Sequence, residues 1–321
     1  MHYNIRHVTR FTYETPISES VMEARMQPRT DPAQRCLHFG LSTQPASRVM
    51  MHQDHQGNVV HHFNIPGRHS QLTVTAEALV EVGAPAELPC SLERGAWERL
   101  DALTGSGEFW DVLNPSPFAL RTALLDALSR EIGLARGDDP LVTVRQLTSE
   151  IYTRFEYSPH STRVDSPIDD ALDARSGVCQ DFAHVMIALV RGLGLPCRYV
   201  SGYLFQQGED KDKVRSAAGA THAWLEALMP DLGWIGFDPT NNLVAGDRHI
   251  RVAIGRDYAD VPPTRGVYKG TTAVRSELAV GVSVGPALAG PSGETPPFVP
   301  WMSREAAAPL SGSDSAQQQQ Q

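Results

Sequence analysis

Residues 177–204 read GVCQDFAHVMIALVRGLGLPCRYVSGYL, and residues 221–242 read THAWLEALMPDLGWIGFDPTNN. In the first stretch Phe182, Val185, Met186, Leu189, Val190 and Leu193 recur at spacings of three and four, which predicts a helix over about 178–193. Gly192 and Gly194 loosen its end and Pro196 stops it. Strand patterns follow over about 197–204, 221–229 and 234–238, with Pro230-Asp231-Leu232-Gly233 as a tight link between the last two. Helices followed by a run of strands predict an α+β fold, with the cysteine-bearing helix packed on an antiparallel sheet.

The chemistry-bearing residues sit at the ends of these elements. Cys179 opens the helix, where backbone N–H groups and the helix dipole favour an anion and hence the thiolate that acyl transfer needs. The same N–H groups can receive a developing oxyanion. By itself, Cys179 also reads as a small buried hydrophobe. Alternation puts His222, Trp224 and Glu226 on one face of their strand, and Asp238 ends the next. A hairpin pairing residue 222 with residue 238 makes His222 and Asp238 cross-strand neighbours; taken alone, they also read as a polar pair at a sheet end. A thiol at a helix start, a histidine and a carboxylate to hold it together form the thiolate–imidazolium constellation of papain-type chemistry. Gln180 and Asp181 are either polar stabilisers of the first helical turn or, for Gln180, part of the cleft. Trp224 either walls the cleft or packs on the sheet.

Upstream, Leu120, Leu124, Leu125, Leu128 and Ile132 form one helical stripe with Pro117 near its start, and residues 142–155 form a second. The first 85 or so residues alternate with period two. Leu72, Val74, Ala76, Ala78, Val80 and Val82 mark one half-buried strand, and Leu37, Phe39 and Leu41 another. Residues 54–58 supply a hairpin loop. The expectation is an N-terminal antiparallel β-domain of about five or six strands. Leu278, Val280, Val282 and Val284 alternate again and predict a further strand. The chain beyond is rich in proline and small residues and ends in five glutamines, the composition of a disordered tail.

The 321 residues carry a formal charge of −9, which excludes the basic footprint of a nucleic-acid binder and argues against anionic membranes. Neither a signal-peptide pattern nor an apolar run of about 18 residues appears, so a soluble, cytoplasmic protein is expected. The four cysteines lack a CxxC pair and read as free thiols. His52, His55, His61, His62 and His69 match no metal-ligand spacing and read as strand-surface residues. A zinc set of Cys179, His184, Cys197 and His222 would leave Asp238 unexplained. No metal and no cofactor is expected.

The stretches 177–204, 221–242 and GRDYADVPPTRGVYKG (255–270) resemble the bacterial branch of the transglutaminase-like superfamily, its core domain plus a β-rich N-terminal region. The resemblance implies a papain-like core, with a β-domain at 1–90, the catalytic core and its preceding helices at 91–284, and a tail at 285–321. It implies Cys179 as nucleophile, His222 as base and Asp238 as the acid that orients it. Tyr157 becomes a candidate oxyanion donor, since members of the superfamily can use a side chain there. The implied substrate is a peptide or protein amide. Hydrolysis is expected ahead of transfer to an amine, and a non-catalytic interaction module on the same fold is the third reading. Substrate identity and oligomeric state are not implied.

Overall fold

The computed structural model describes residues 1–159, 161–207, 214–217, 219–270, 275–287 and 298. The N-terminal quarter forms β1 (His2–Ala24), β2 (Gln34–Gln44), β3 (Val49–Gln53) and β4 (Val59–Val82). The alternation read over 72–82 is the inward face of β4, where Leu72, Val74, Ala76, Ala78, Val80 and Val82 are all buried. The expected hairpin loop joins β3 to β4: Asp54 Oδ1 accepts the Gln56 and Asn58 amides, and Gly57 takes a positive φ of 74°.

Helices follow as α1 (Ala96–Thr104), α2 (Trp110–Leu113), α3 (Ala123–Glu131), α4 (Pro140–Arg154), α5 (Ile168–Ala174) and α6 (Cys179–Gly192), and the last two are flanked by the short β5 (Glu156–Tyr157) and β6 (Ser176–Gly177). The first stripe is shorter than its leucines imply. Thr122 caps α3 by accepting the Leu125 amide, so Leu125 and Leu128 are buried while Leu120 and Leu124 face solvent. Pro117 lies before the helix, inside a bridge between Ser116 and Ala119. Asp139 caps α4 through the Leu141 and Val142 amides, with Pro140 in the first turn.

The second sheet contains β7 (Cys197–Leu204), β8 (His222–Met229), β9 (Gly233–Asp238), β10 (Leu243–Val244) and β11 (His249–Gly255), in the order β10-β9-β8-β7-β11. The α6 helix packs on β7 and β8 and is buried from Cys179 to Arg191, as a helix apolar around most of its girth must be.

The last strands, β12 (Thr264–Lys269) and β13 (Ser276–Pro286), both pair with β1. Four strands, rather than five or six, therefore come from the first 85 residues, and these two complete a six-stranded sheet. The stretch assigned from sequence to 91–284 thus gives its final strands to the N-terminal sheet. Alternation identifies a strand but not its partner. One continuous core runs from Tyr3, Ile5 and Val80 through Leu128, Phe182 and Leu225 to Leu278 and Val280, so the two sheets bury their apolar surface together. The tail lies outside the described residues, apart from 285–287 and Phe298, whose ring stacks on His38 with centroids 3.9 Å apart. Among the described residues no helix is long and apolar enough to cross a membrane.

Candidate active site

Cys179 is the first residue of α6 and is buried. Asp181, in the same turn, folds back so that Oδ2 accepts the Val178 amide at 2.8 Å and the Thr162 hydroxyl. A Cβ on Gly177 would lie 2.7 Å from that carboxylate, so only glycine leaves room for the cap. Burial pushes the Asp181 pKa up to about 6, against the lowering effect of these two hydrogen bonds. Gln180 is buried and donates from Nε2 to the Val164 carbonyl at 2.9 Å. Gln180 and Asp181 together fasten the segment before α5 to the start of α6. Tyr157 is brought alongside Gly177 by the parallel β5–β6 pair, and its hydroxyl oxygen accepts the Ala217 amide at 3.2 Å.

The β8–β9 ladder differs from the sequence expectation by two residues. Glu226 faces Gly236 and Leu225 faces Phe237, so residues 222 and 238 are diagonal rather than opposite. The turn uses Asp231 and Gly233 at positive φ, which moves the hairpin centre along. A shift of one would have turned a side chain to the other face, whereas a shift of two preserves it. The pair therefore still meets, with His222 Nε2 2.8 Å from Asp238 Oδ2 and both groups buried.

Burial alone would lower the His222 pKa. The charge and hydrogen bond of Asp238, followed by Cys179, outweigh it and hold the ring well above the ordinary histidine value. Burial likewise works to raise Asp238, but His222 and then His249 hold it well below the usual carboxylate range. His222 Nδ1, the nitrogen turned away from Asp238, is buried without a conventional hydrogen-bond partner, leaving it for the nearby thiol.

Two members of this cluster are not among the residues singled out from sequence. Asp238 Oδ2 also accepts from Asn241 Nδ2 at 2.7 Å and His249 Nε2 at 3.2 Å, while Oδ1 accepts the Thr240 and Asn241 amides. Asn241 follows Asp238 closely enough that a turn motif could have flagged it. His249 lies on β11, which β7 separates from β8. Trp224 is fully buried beneath the His222 ring, 5.8 Å between centroids, so it packs on the sheet rather than lining an open cleft. Its ring fills the space over Gly202, where a Cβ would come within 2.6 Å of it. Glu226 shares the face but is held by Arg198 and Arg251.

A cavity of about 320 Å³ opens beside His222, walled by Leu204, Gln206, Ser216 and, from the first sheet, Val282 and Val284. The Val282 amide donates to the Gly219 carbonyl at 2.8 Å, so β13 braces the loop that precedes His222.

His222, Asp238 and His249 bring three potential metal-ligand atoms within 4.8 Å of one another. Nε2 of each imidazole lies within hydrogen-bonding distance of the same carboxylate oxygen, Asp238 Oδ2. The zinc set weighed from sequence is not assembled: His184 Nε2 accepts the Tyr258 amide, and its ring stacks on Phe118. Nor are the β-domain histidines all on the surface. His61 and His69 are buried, and His69 bridges Ser20 and the Gly67 carbonyl.

Residues 3–81 match the bacterial transglutaminase-like N-terminal region, and residues 126–239 match the transglutaminase-like superfamily. The chain is 34% identical over 277 residues to an uncharacterized protein of Mycobacterium leprae, covering 86% of this chain and 96% of that one. It is 31% identical over 120 residues to a protein-glutamine gamma-glutamyltransferase of Pseudomonas aeruginosa, covering 36% of this chain and 18% of that one. In three dimensions it is similar to a candidate cysteine protease from Cytophaga hutchinsonii, with a TM-score of 0.65, 22% identity, and coverage of 88% of this chain and 90% of that one.

Proposed function

Because this chain belongs to the transglutaminase-like superfamily, we propose that it is a thiol-dependent enzyme that opens amide bonds, using Cys179 as nucleophile, His222 as proton carrier and Asp238 as its orienting acid. The observation that carries this reading is the His222 ring, bonded to Asp238 through Nε2 and leaving Nδ1 for the thiol. In the resting state the proton sits on His222 and the negative charge on Cys179 Sγ. Sγ attacks the carbonyl carbon, and the oxyanion is received by the Cys179 N–H at the start of α6, a position with no intrahelical acceptor. His222 Nδ1–H then protonates the leaving amine, and the C–N bond breaks to give a thioester. Water, deprotonated by His222, attacks the thioester and regenerates the thiol, so the net reaction is hydrolysis of a peptide or protein amide.

Transfer to a primary amine is the second reading, supported by the partial similarity to the gamma-glutamyltransferase. Peptide amides incubated with and without an added primary amine, and read by mass spectrometry, separate the two. Hydrolysed product in both reactions supports the proteolytic reading. Product carrying the amine mass replaces it with transamidation. A Cys179 that alkylates no faster than Cys90, with no product in either reaction, would leave an interaction module on the same fold.

A further inference from the structure

Two buried histidines share one carboxylate oxygen, and the surroundings of each ring differ. On His222, Nε2 donates to Asp238 and Nδ1 has no conventional partner. On His249, both nitrogens are committed: Nε2 faces Asp238 Oδ2 at 3.2 Å, and Nδ1 accepts the Gly246 backbone N–H at 3.2 Å. An amide N–H can only donate, so Nδ1 of His249 must present a lone pair and its proton must reside on Nε2. From this geometry we propose that His249 is a positioning residue of the thiol site, locked as the neutral Nε2–H tautomer. It anchors Asp238 Oδ2 and confines the positive charge to His222. The inference rests on the catalytic reading given above.

The anchor works from across the sheet. The other groups on Asp238 come from its own turn, Thr240 and Asn241, or from the ring it must orient. His249 is the contact that ties the carboxylate, which ends β9, to β11, with β8 and β7 between them. Among the described contacts, Asp238 and His222 face the ring, and Trp224 meets it edge-on with centroids 5.2 Å apart. Protonation of His249 would require breaking the Gly246 bond and placing a second cation 6.1 Å, centroid to centroid, from the His222 ring.

Losing a hydrogen bond to a charged group should move the pairing of Asp238 with His222 by roughly ten-fold or more. The test uses the full chain and needs no substrate. In protein labelled with ¹⁵N-histidine at neutral pH, the His249 resonances should show Nε2–H and a bare Nδ1, while those of His222 show a doubly protonated ring. Alkylation of Cys179 by iodoacetamide, measured below the ordinary histidine pKa of about 6.5, should slow roughly ten-fold in His249→Ala. His249→Gln, whose side-chain amide can donate in place of Nε2, should recover most of the rate. A doubly protonated His249, a His249→Ala rate equal to wild type, or equal losses in His249→Gln and His249→Ala with matching falls in melting temperature would overturn the proposal. A wild-type Cys179 no more reactive than Cys90 would instead defeat the nucleophile assignment, and the His249 tautomer would still decide this inference.

Discussion

The two ends of α6 bury ionisable groups in opposite ways. At the N-terminal end Cys179, His222 and Asp238 form a chain in which each group stabilises the charge of the next. Toward the C-terminal end, burial pushes the Cys197 thiol up to about 12, although the Arg191 guanidinium beside it acts to lower it. Arg191 itself is spent on the carbonyls of Val112, Asn114, Cys197 and Arg256 and on the Ser116 hydroxyl. Between the ends, burial and then Arg191 push His184 down to about 3. The contrast shows that burial alone silences a thiol or an imidazole. A committed counter-charge such as Asp238 is what holds the equally buried His222 ring protonated.

The comparison breaks most severely at Asp238. Asp238→Asn should reduce turnover on a scale of about 10⁴, because an amide can offer the ring a donor and favour the wrong tautomer. Steady-state kinetics, with circular dichroism as a check on folding, would decide it. Wild-type turnover in this variant would mean that Asp238 does not orient His222. Glu226 is an unsuitable substitute because it is tied to two arginines.

The other end should fail as structure rather than as chemistry. Arg191→Met removes the donor from four carbonyls, and each buried acceptor left unpaired costs about 1–3 kcal/mol. A loss of at least about 3 kcal/mol in a urea titration is expected. Cys179 alkylation in the folded protein should hardly change, since the two residues are separated by about 18 Å along the helix. A selective loss of thiol reactivity without loss of stability would reverse the contrast.

A third effect appears on acidification. Burial lowers His7 to about 4 and His184 to about 3, so both are neutral in the fold and bind protons more readily when unfolded. Their stabilisation is fully present above the unfolded value of about 6.5 and is lost as pH falls toward 4. Asp181, raised to about 6, acts in the opposite sense over part of this window, because its neutral form is favoured in the fold. The raised His222 stabilises fully below about 6.5 and weakens only at alkaline pH. Two histidines outweigh one aspartate, so the urea midpoint should decline between about pH 6.5 and 4. His184→Phe should reduce that slope; an unchanged slope would show that this burial carries no proton linkage.

The smallest effect belongs to the tail. Truncation after Ala287 removes the Phe298 ring from His38, a contact of about 1 kcal/mol, and should leave turnover unaltered. Truncation after Gly270 removes the whole of β13 with buried Leu278, Val280 and Val282, and should destabilise the protein by several times that amount. Similar melting temperatures for the two truncations would remove β13 as a support of the cleft.

The sequence by itself determined the local elements and singled out Cys179, His222 and Asp238 as the candidate site residues. Spacings of three and four marked α6 to within a residue or so at each end, and alternation marked β7, β8 and β9. These signals are local because a helix or strand repeats over a few residues. The same parity kept His222 and Asp238 on one face even though the register differed by two. Only the tertiary structure decided that β12 and β13 complete the first sheet, that Trp224 lies beneath the imidazole, and that His249 reaches Asp238. Partner choice between strands and contact across intervening strands leave no period in the chain. They are fixed by which apolar faces must be buried together, and that is settled only when the whole core closes.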